Sequence, residues 1–177
     1  RRVTSMKWFL VVASILLVVL PSISSDEKNF VLEDRIRVQG NWVTIGRWLK
    51  SYAKPNESIA VTAAGALPYY SDLYTVDMLG INDVHIAHRK MPEMGKGIAG
   101  HEKYDIDYVL DKKPTYIFHY PFLVKRPVIT PSQFITEWNP GQKYLFESPR
   151  FRTMYEPVSE KIAGYFINFF RLKSEYR

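Results

Sequence analysis

The stretch SIAVTAAGALPYYSDLYTVD, residues 58–77, decides the fold. Its first five residues, Ser58 to Thr62, form a short β-type run, and Leu73 to Asp77 form a second. Gly65 and Pro68 interrupt the chain between them, so residues 66–72 read as a turn or short helix. That link is close to the lower limit for a crossover between parallel strands. Upstream, Val38, Trp42, Ile45, Leu49 and Tyr52 recur at helical spacing and predict an amphipathic helix over residues 39–53. Lys54-Pro55-Asn56 stops it. Downstream, residues 82–88 and 104–112 read as helices, and Thr115 to His119 as a third strand. Residues 132–138 read as a helix capped by Ser132, and Asn139-Pro140-Gly141 as a turn. Phe151 to Tyr155 and Gly164 to Leu172 read as two closing β segments. Alternation of helix and strand is an α/β pattern. The expectation is a small α/β sandwich with a mostly parallel sheet and a C-terminal antiparallel strand pair.

Residues 8–20 are uninterrupted apolar positions apart from Ser14 and hold ten Leu, Ile, Val and Phe residues. Extended to residues 6–23, the segment spans about 27 Å as a helix, close to a ~30 Å hydrocarbon core. It predicts an N-terminal transmembrane helix or a signal peptide over residues 1–24. Residues 25–38 are a polar connector, and residues 39–177 an extracytoplasmic α/β domain. In this reading Arg1, Arg2 and Lys7 stay cytoplasmic.

The chain has 177 residues, no cysteine and a formal charge of +6. Aromatic residues make up 15%, which excludes a disordered chain. The absence of cysteine rules out disulfides, thiolate metal sites and a thiol nucleophile. The positive charge suits lipid headgroups or phosphates. No glycine-rich or strongly basic tract points to nucleic acid, which is not expected as a partner.

Ligands of open parallel sheets gather beyond the carboxyl ends of the strands. Here those ends are Gly65, Asp77 and His119. Tyr69, Tyr70, Asp77 and Asp83 therefore read as an aromatic-walled polar pocket suited to a sugar. Equally, Pro68-Tyr69-Tyr70 packs a turn and Asp83 caps a helix. His101 and Lys103, in Gly100-His101-Glu102-Lys103, add an imidazole and an amine able to hold a phosphate or move a proton. His85 and His88 sit at metal-pair spacing, without a third ligand nearby in sequence. Asp105 and Asp107 read as solvated acids. No nucleophile elbow or phosphate-cradling Walker loop is present. No catalytic residue, metal or cofactor is assigned.

The stretch Gly65-Ala66-Leu67-Pro68-Tyr69-Tyr70-Ser71-Asp72, then Asp77-Met78-Leu79-Gly80-Ile81-Asn82-Asp83, Gly100-His101-Glu102-Lys103 and Lys113-Pro114-Thr115-Tyr116, carries a resemblance. It spans residues 48–116, and Asp77 to Asp83 is its most specific part. It resembles the soluble C-terminal region of bacterial polytopic membrane glycosyltransferases of the GT-C class, relatives of protein mannosyltransferases and arabinofuranosyltransferases. Such enzymes take sugars from polyprenyl-phosphate donors. Their acidic catalytic residue lies in an early extracytoplasmic loop with no counterpart here. The resemblance implies a domain at the plasma membrane that supports acceptor-glycan binding or gating, inactive alone, with membrane lipid, polyprenyl-phosphate sugar and acceptor glycan as partners. Two other readings are a secreted or periplasmic carbohydrate-binding module with a cleaved signal peptide, and a small enzyme built on Asp77, Asp83 and His101.

Overall fold

The computed structural model describes residues 2–19, 29, 32, 41–92, 94–119, 122–127 and 140–177, with only the backbone described at 2–6 and 18–19. The expected connector apart from residues 29 and 32, the expected 132–138 helix and the first residues of the expected 39–53 helix lie outside them. The chain divides into two compact units, Arg1–Arg37 and Val38–Arg177.

The first unit contains α1 (Arg2–Val19). Among the described residues no helix is long and apolar enough to cross a membrane. This overturns the expected transmembrane helix. Arg2, Thr4, Ser5 and Lys7 fall in the first two turns of α1. The apolar part left, residues 8–19, spans about 18 Å, well short of a ~30 Å core.

The second unit begins with α2 (Val43–Tyr52), entered through a π-helical turn at residues 41–42. Then follow β1 (Ser58–Val61), α3 (Ala66–Ser71), β2 (Tyr74–Asp77), α4 (Val84–His88), α5 (Ile106–Asp111) and β3 (Tyr116–Phe118). After β4 (Leu123–Val124) come α6 (Pro140–Glu147), α7 (Pro149–Met154), β5 (Tyr155–Ile162) and β6 (Tyr165–Leu172). The last is followed by a 3-10 turn, Ser174–Tyr176.

The six strands among the described residues form one mixed sheet, which corrects the expected mostly parallel sheet with a C-terminal antiparallel strand pair. β1 lies between β2 and β3 and is parallel to both. β6 is antiparallel to β3 and β4 along one edge and to β5 along the other. The cause is the composition of β6. Ile167 and Phe169 face one core cluster, and Phe170 and Leu172 face the other. A strand apolar on both faces must be covered on both, so it sits inside a sheet.

Between the pairs Tyr116↔Arg171 and Leu123↔Ile167, the β3–β4 side advances seven residues while β6 advances four. Pairing with β6 therefore stops after Ile117 and resumes at Leu123 in a shifted register. Helices cover both faces. α2 and α3 bring Ile45, Leu49 and Leu67 onto Ile59, Val61 and Phe118. α4 to α7 bring Ile86, Val109, Leu110, Leu145 and Phe151 onto Ala60, Val76 and Ile117.

Two further expectations fail near the C-terminus. Pro140 opens α6 instead of closing a turn, because its fixed φ and missing N–H suit the first position of a helix. Residues 151–154 are helical instead of extended. Ser148 caps α7 by accepting from Phe151 N at 3.4 Å, and Pro149 occupies its first turn.

α2 and α3 cross closely at Gly46. A Cβ there would lie 2.7 Å from Leu67 O and 2.9 Å from Tyr70 Cβ. Gly46→Ala gains up to ~1 kcal/mol of helix propensity but costs roughly 1–3 kcal/mol in backbone displacement. Urea unfolding is expected to show a net loss on the order of 1 kcal/mol. An unchanged midpoint would mean that this crossing is loose.

Buried tyrosines give the fold an alkaline limit. The Tyr155 hydroxyl donates to Pro114 O at 2.8 Å, and the Tyr116 hydroxyl donates to the buried Glu57 carboxylate at 2.7 Å. Burial pushes both phenols well above the ordinary value of 10, and the Glu57 charge adds to the rise at Tyr116. The unfolded chain therefore ionises first. Stability from these groups is fully present below pH 10 and is lost as pH climbs beyond it. Unfolding midpoints measured from pH 8 to 11 are expected to hold steady and then fall above 10.

Candidate functional site

The carboxyl ends of β1 and β2 meet in a corner built by Asp77 to Asp83. Asp77 is buried, and both its carboxylate oxygens accept from backbone: Leu79 N at 2.9 Å and Asn82 N at 2.6 Å. Gly80 has a φ of 76°, and a Cβ there would meet Ala87 N at 2.7 Å. Only glycine fits this approach to α4 without strain. Asn82 Nδ2 donates to Ala64 O at 3.2 Å, tying the β2 corner to the end of β1. Asp83 then caps α4, accepting from Ile86 N at 3.0 Å, and also accepts from the Tyr108 hydroxyl at 3.0 Å.

Asp77 and Asp83 are thus turn and cap residues, with their oxygens engaged inside the fold. Lys103 reaches the same corner and donates to Ala87 O in the last turn of α4, where a cation offsets the unpaired carbonyls. Leu79, Gly80, Ile81, Gly100, Glu102 and Lys103 line a cavity of about 190 Å³ there. His101 lies in the loop beside it, with Nδ1 at 3.2 Å from Ala99 O.

The tyrosines do not join this corner through any contact among the described residues. Tyr69 on α3 is 79% exposed and meets Tyr70 edge-on, with ring centroids 5.1 Å apart. The Arg47 guanidinium sits 5.1 Å over the Tyr70 ring, which fixes Tyr70 against α2. Of the six expected site residues, Asp77, Asp83 and Lys103 converge. His101 flanks them, Tyr69 stands free on α3, and Tyr70 packs.

A polar cluster not anticipated from sequence lies between α4 and α5. Asp105 is buried, caps α5 by accepting from Tyr108 N at 3.1 Å, and accepts from Arg89. His85 Nε2 lies 2.9 Å from the same carboxylate. The His85 ring stacks on Tyr108 at 4.1 Å, and Lys112 Nζ lies over the Tyr108 ring, 5.0 Å from its centroid. Burial and the Asp83 hydrogen bond raise the Tyr108 phenol above its ordinary value. The sequence signal was Asp105 before a helical run, an N-cap pattern. The His85/His88 spacing leads elsewhere: His88 Nδ1 bonds Val84 O at 2.8 Å. Among the described residues no cluster of three ligands could hold a metal.

Together, the fold and the corner define a mixed three-layer α/β domain with a small cavity at the carboxyl edge of its parallel strands. The chain matches the family described as "Domain of unknown function (DUF8728)" over residues 29–170, and it belongs to that family. No curated protein and no solved structure matches it.

Asp105→Ala removes an N-cap and is expected to cost roughly 1–2 kcal/mol in urea unfolding. The half-exposed His85 and Arg89 add little to that, being screened by solvent. Asp105→Asn keeps a capping oxygen and should lose less than half as much. Equal losses would place the energy in the ion pairs instead.

Proposed function

We propose that this chain is a non-catalytic domain that binds acceptor glycan on the extracytoplasmic side for a polyprenyl-phosphate-dependent glycosyltransferase. The observation that carries the reading is a convergence. The stretches after β1, after β2 and at residues 100–103 are the parts that resemble the GT-C region. They meet at one edge of the sheet, through Asn82–Ala64, Lys103–Ala87 and the shared cavity. Ligands of open α/β sheets bind at this edge. Exposed Ile81 lines the cavity, Val84 follows it at the start of α4 and Tyr69 stands on α3 after β1, each an apolar face of the kind sugar rings stack on.

A role without chemistry of its own is supported by the carboxylates. Asp77 and Asp83 spend their oxygens on backbone N–H groups and Tyr108, so neither is poised as an acid, base or nucleophile.

The test uses the full chain with short mannose and arabinose oligosaccharides, followed by NMR titration. Saturable shifts are expected at residues 79–82 and 100–103. Tyr69→Ala and Ile81→Ala are each expected to weaken binding about fivefold, the weight of ~1 kcal/mol of apolar contact. Both side chains are largely exposed, so folding should be unchanged. Absence of saturable binding to any glycan, or sugar transfer by the chain alone, would sink the proposal.

A further inference from the structure

The opposite edge of the sheet, at the start of β1, carries a second cavity, of about 310 Å³. It is lined by Lys54, Asn56, Glu57, Ser58, Lys113 and Thr115, together with Leu172, Tyr176 and Arg177. Its volume falls at the lower end of small-ligand sites.

The bonding pattern of this lining is one-sided. Glu57 is its one carboxylate side chain, and that group is already engaged inside the fold. One oxygen accepts from the Tyr116 hydroxyl at 2.7 Å and from Lys54 N at 3.0 Å, and the other lies 3.4 Å from Arg177 Nη1. Thr115 Oγ1 accepts from Ser58 N at 3.3 Å, which leaves its own proton to donate. Among the described residues neither Lys54 nor Lys113 has an ion-pair partner.

Besides Glu57, what the cavity offers is two ammonium groups, the remaining N–H groups of a guanidinium, the hydroxyls of Ser58, Thr115 and Tyr176, and an amide. Lys113 is also held at a φ of 48°, a left-handed conformation unusual for a lysine, directly before Pro114. Lys113 is among the residues that line the cavity.

We infer that this cavity is a binding site for a phosphate-bearing anion, held chiefly by Lys54 and Lys113 with Ser58 and Thr115 as hydroxyl donors. A phosphate presents several strong acceptor oxygens and close to two charges, which matches a cluster of donors better than a carboxylate does. The site is separate from the glycan edge and does not depend on the glycan reading. The same chemistry would be supplied by a soluble phosphomonoester or by a lipid headgroup.

The experiment titrates the full chain with inorganic phosphate, against chloride at matched ionic strength, and follows the amides of Ser58, Lys113 and Thr115 by NMR. Saturable shifts are expected with phosphate and not with chloride. Lys54→Gln/Lys113→Gln is expected to weaken phosphate about tenfold, the scale of one lost charge-assisted hydrogen bond. Both lysines are exposed, so the variant should fold. Lys90→Gln/Lys161→Gln changes net charge equally and should leave affinity unaltered.

A second arm measures retention on phosphatidylglycerol/phosphatidylcholine vesicles. Retention lost in Lys54→Gln/Lys113→Gln and competed by phosphate assigns the site to a headgroup, whereas unchanged retention assigns it to a soluble phosphate. The inference is overturned if phosphate acts no differently from chloride, or if the control pair weakens binding as much as the cavity pair.

Discussion

β6 is the strand on which the second unit depends. It is hydrogen-bonded along both edges, to β5 over its full length and to β3 and β4 in two shorter segments. Its side chains alternate between the two core clusters, with Phe169 on one side and Phe170 on the other. Phe169 contacts Trp48, Tyr52, Tyr116 and Phe118, while Phe170 contacts His119, Phe146 and Phe151. Removing either ring would open a void in a close-packed interior. Among the described residues the parallel half of the sheet, three short strands, pairs with no outside strand other than β6.

That arrangement fixes what the two ends of the parallel strands can do. At the carboxyl edge the chain turns sharply into helices, and polar side chains there are recruited to hold the turns. Asp77, Asn82, Asp83 and Asp105 each satisfy backbone groups that the short strands and helices leave unpaired. At the amino edge the pattern reverses. The one carboxylate is drawn inward to Tyr116, and the donors are left facing the cavity.

The Asp77 to Asp83 stretch shows how specificity in sequence can reflect folding more than chemistry. Every polar residue in it has a structural partner, and Gly80 is required by its positive φ and its closeness to α4. In the proposed glycan reading, binding at this edge would fall instead to groups with less distinctive sequence context, such as Ile81 and Glu102 in the cavity lining and the exposed Tyr69 on α3.

The sequence by itself determined the elements whose signals are local. Alternating spacings of four and three marked α2, β-type runs marked β1 and β2, and proline and glycine marked where they stop. It also placed Asp83 as a cap, because capping needs only a residue three positions ahead. The apolar leader was legible as a helix, but its polar first turns left too short an apolar span. Tertiary structure alone decided which strands pair with β6, since an apolar strand carries no record of its neighbours. It also decided the partners of His85, Asp105, Glu57 and Tyr116, which lie 20 and 59 residues apart. Side chains so distant meet only because the sheet order brings their strands and helices together, and no local spacing rule encodes that order.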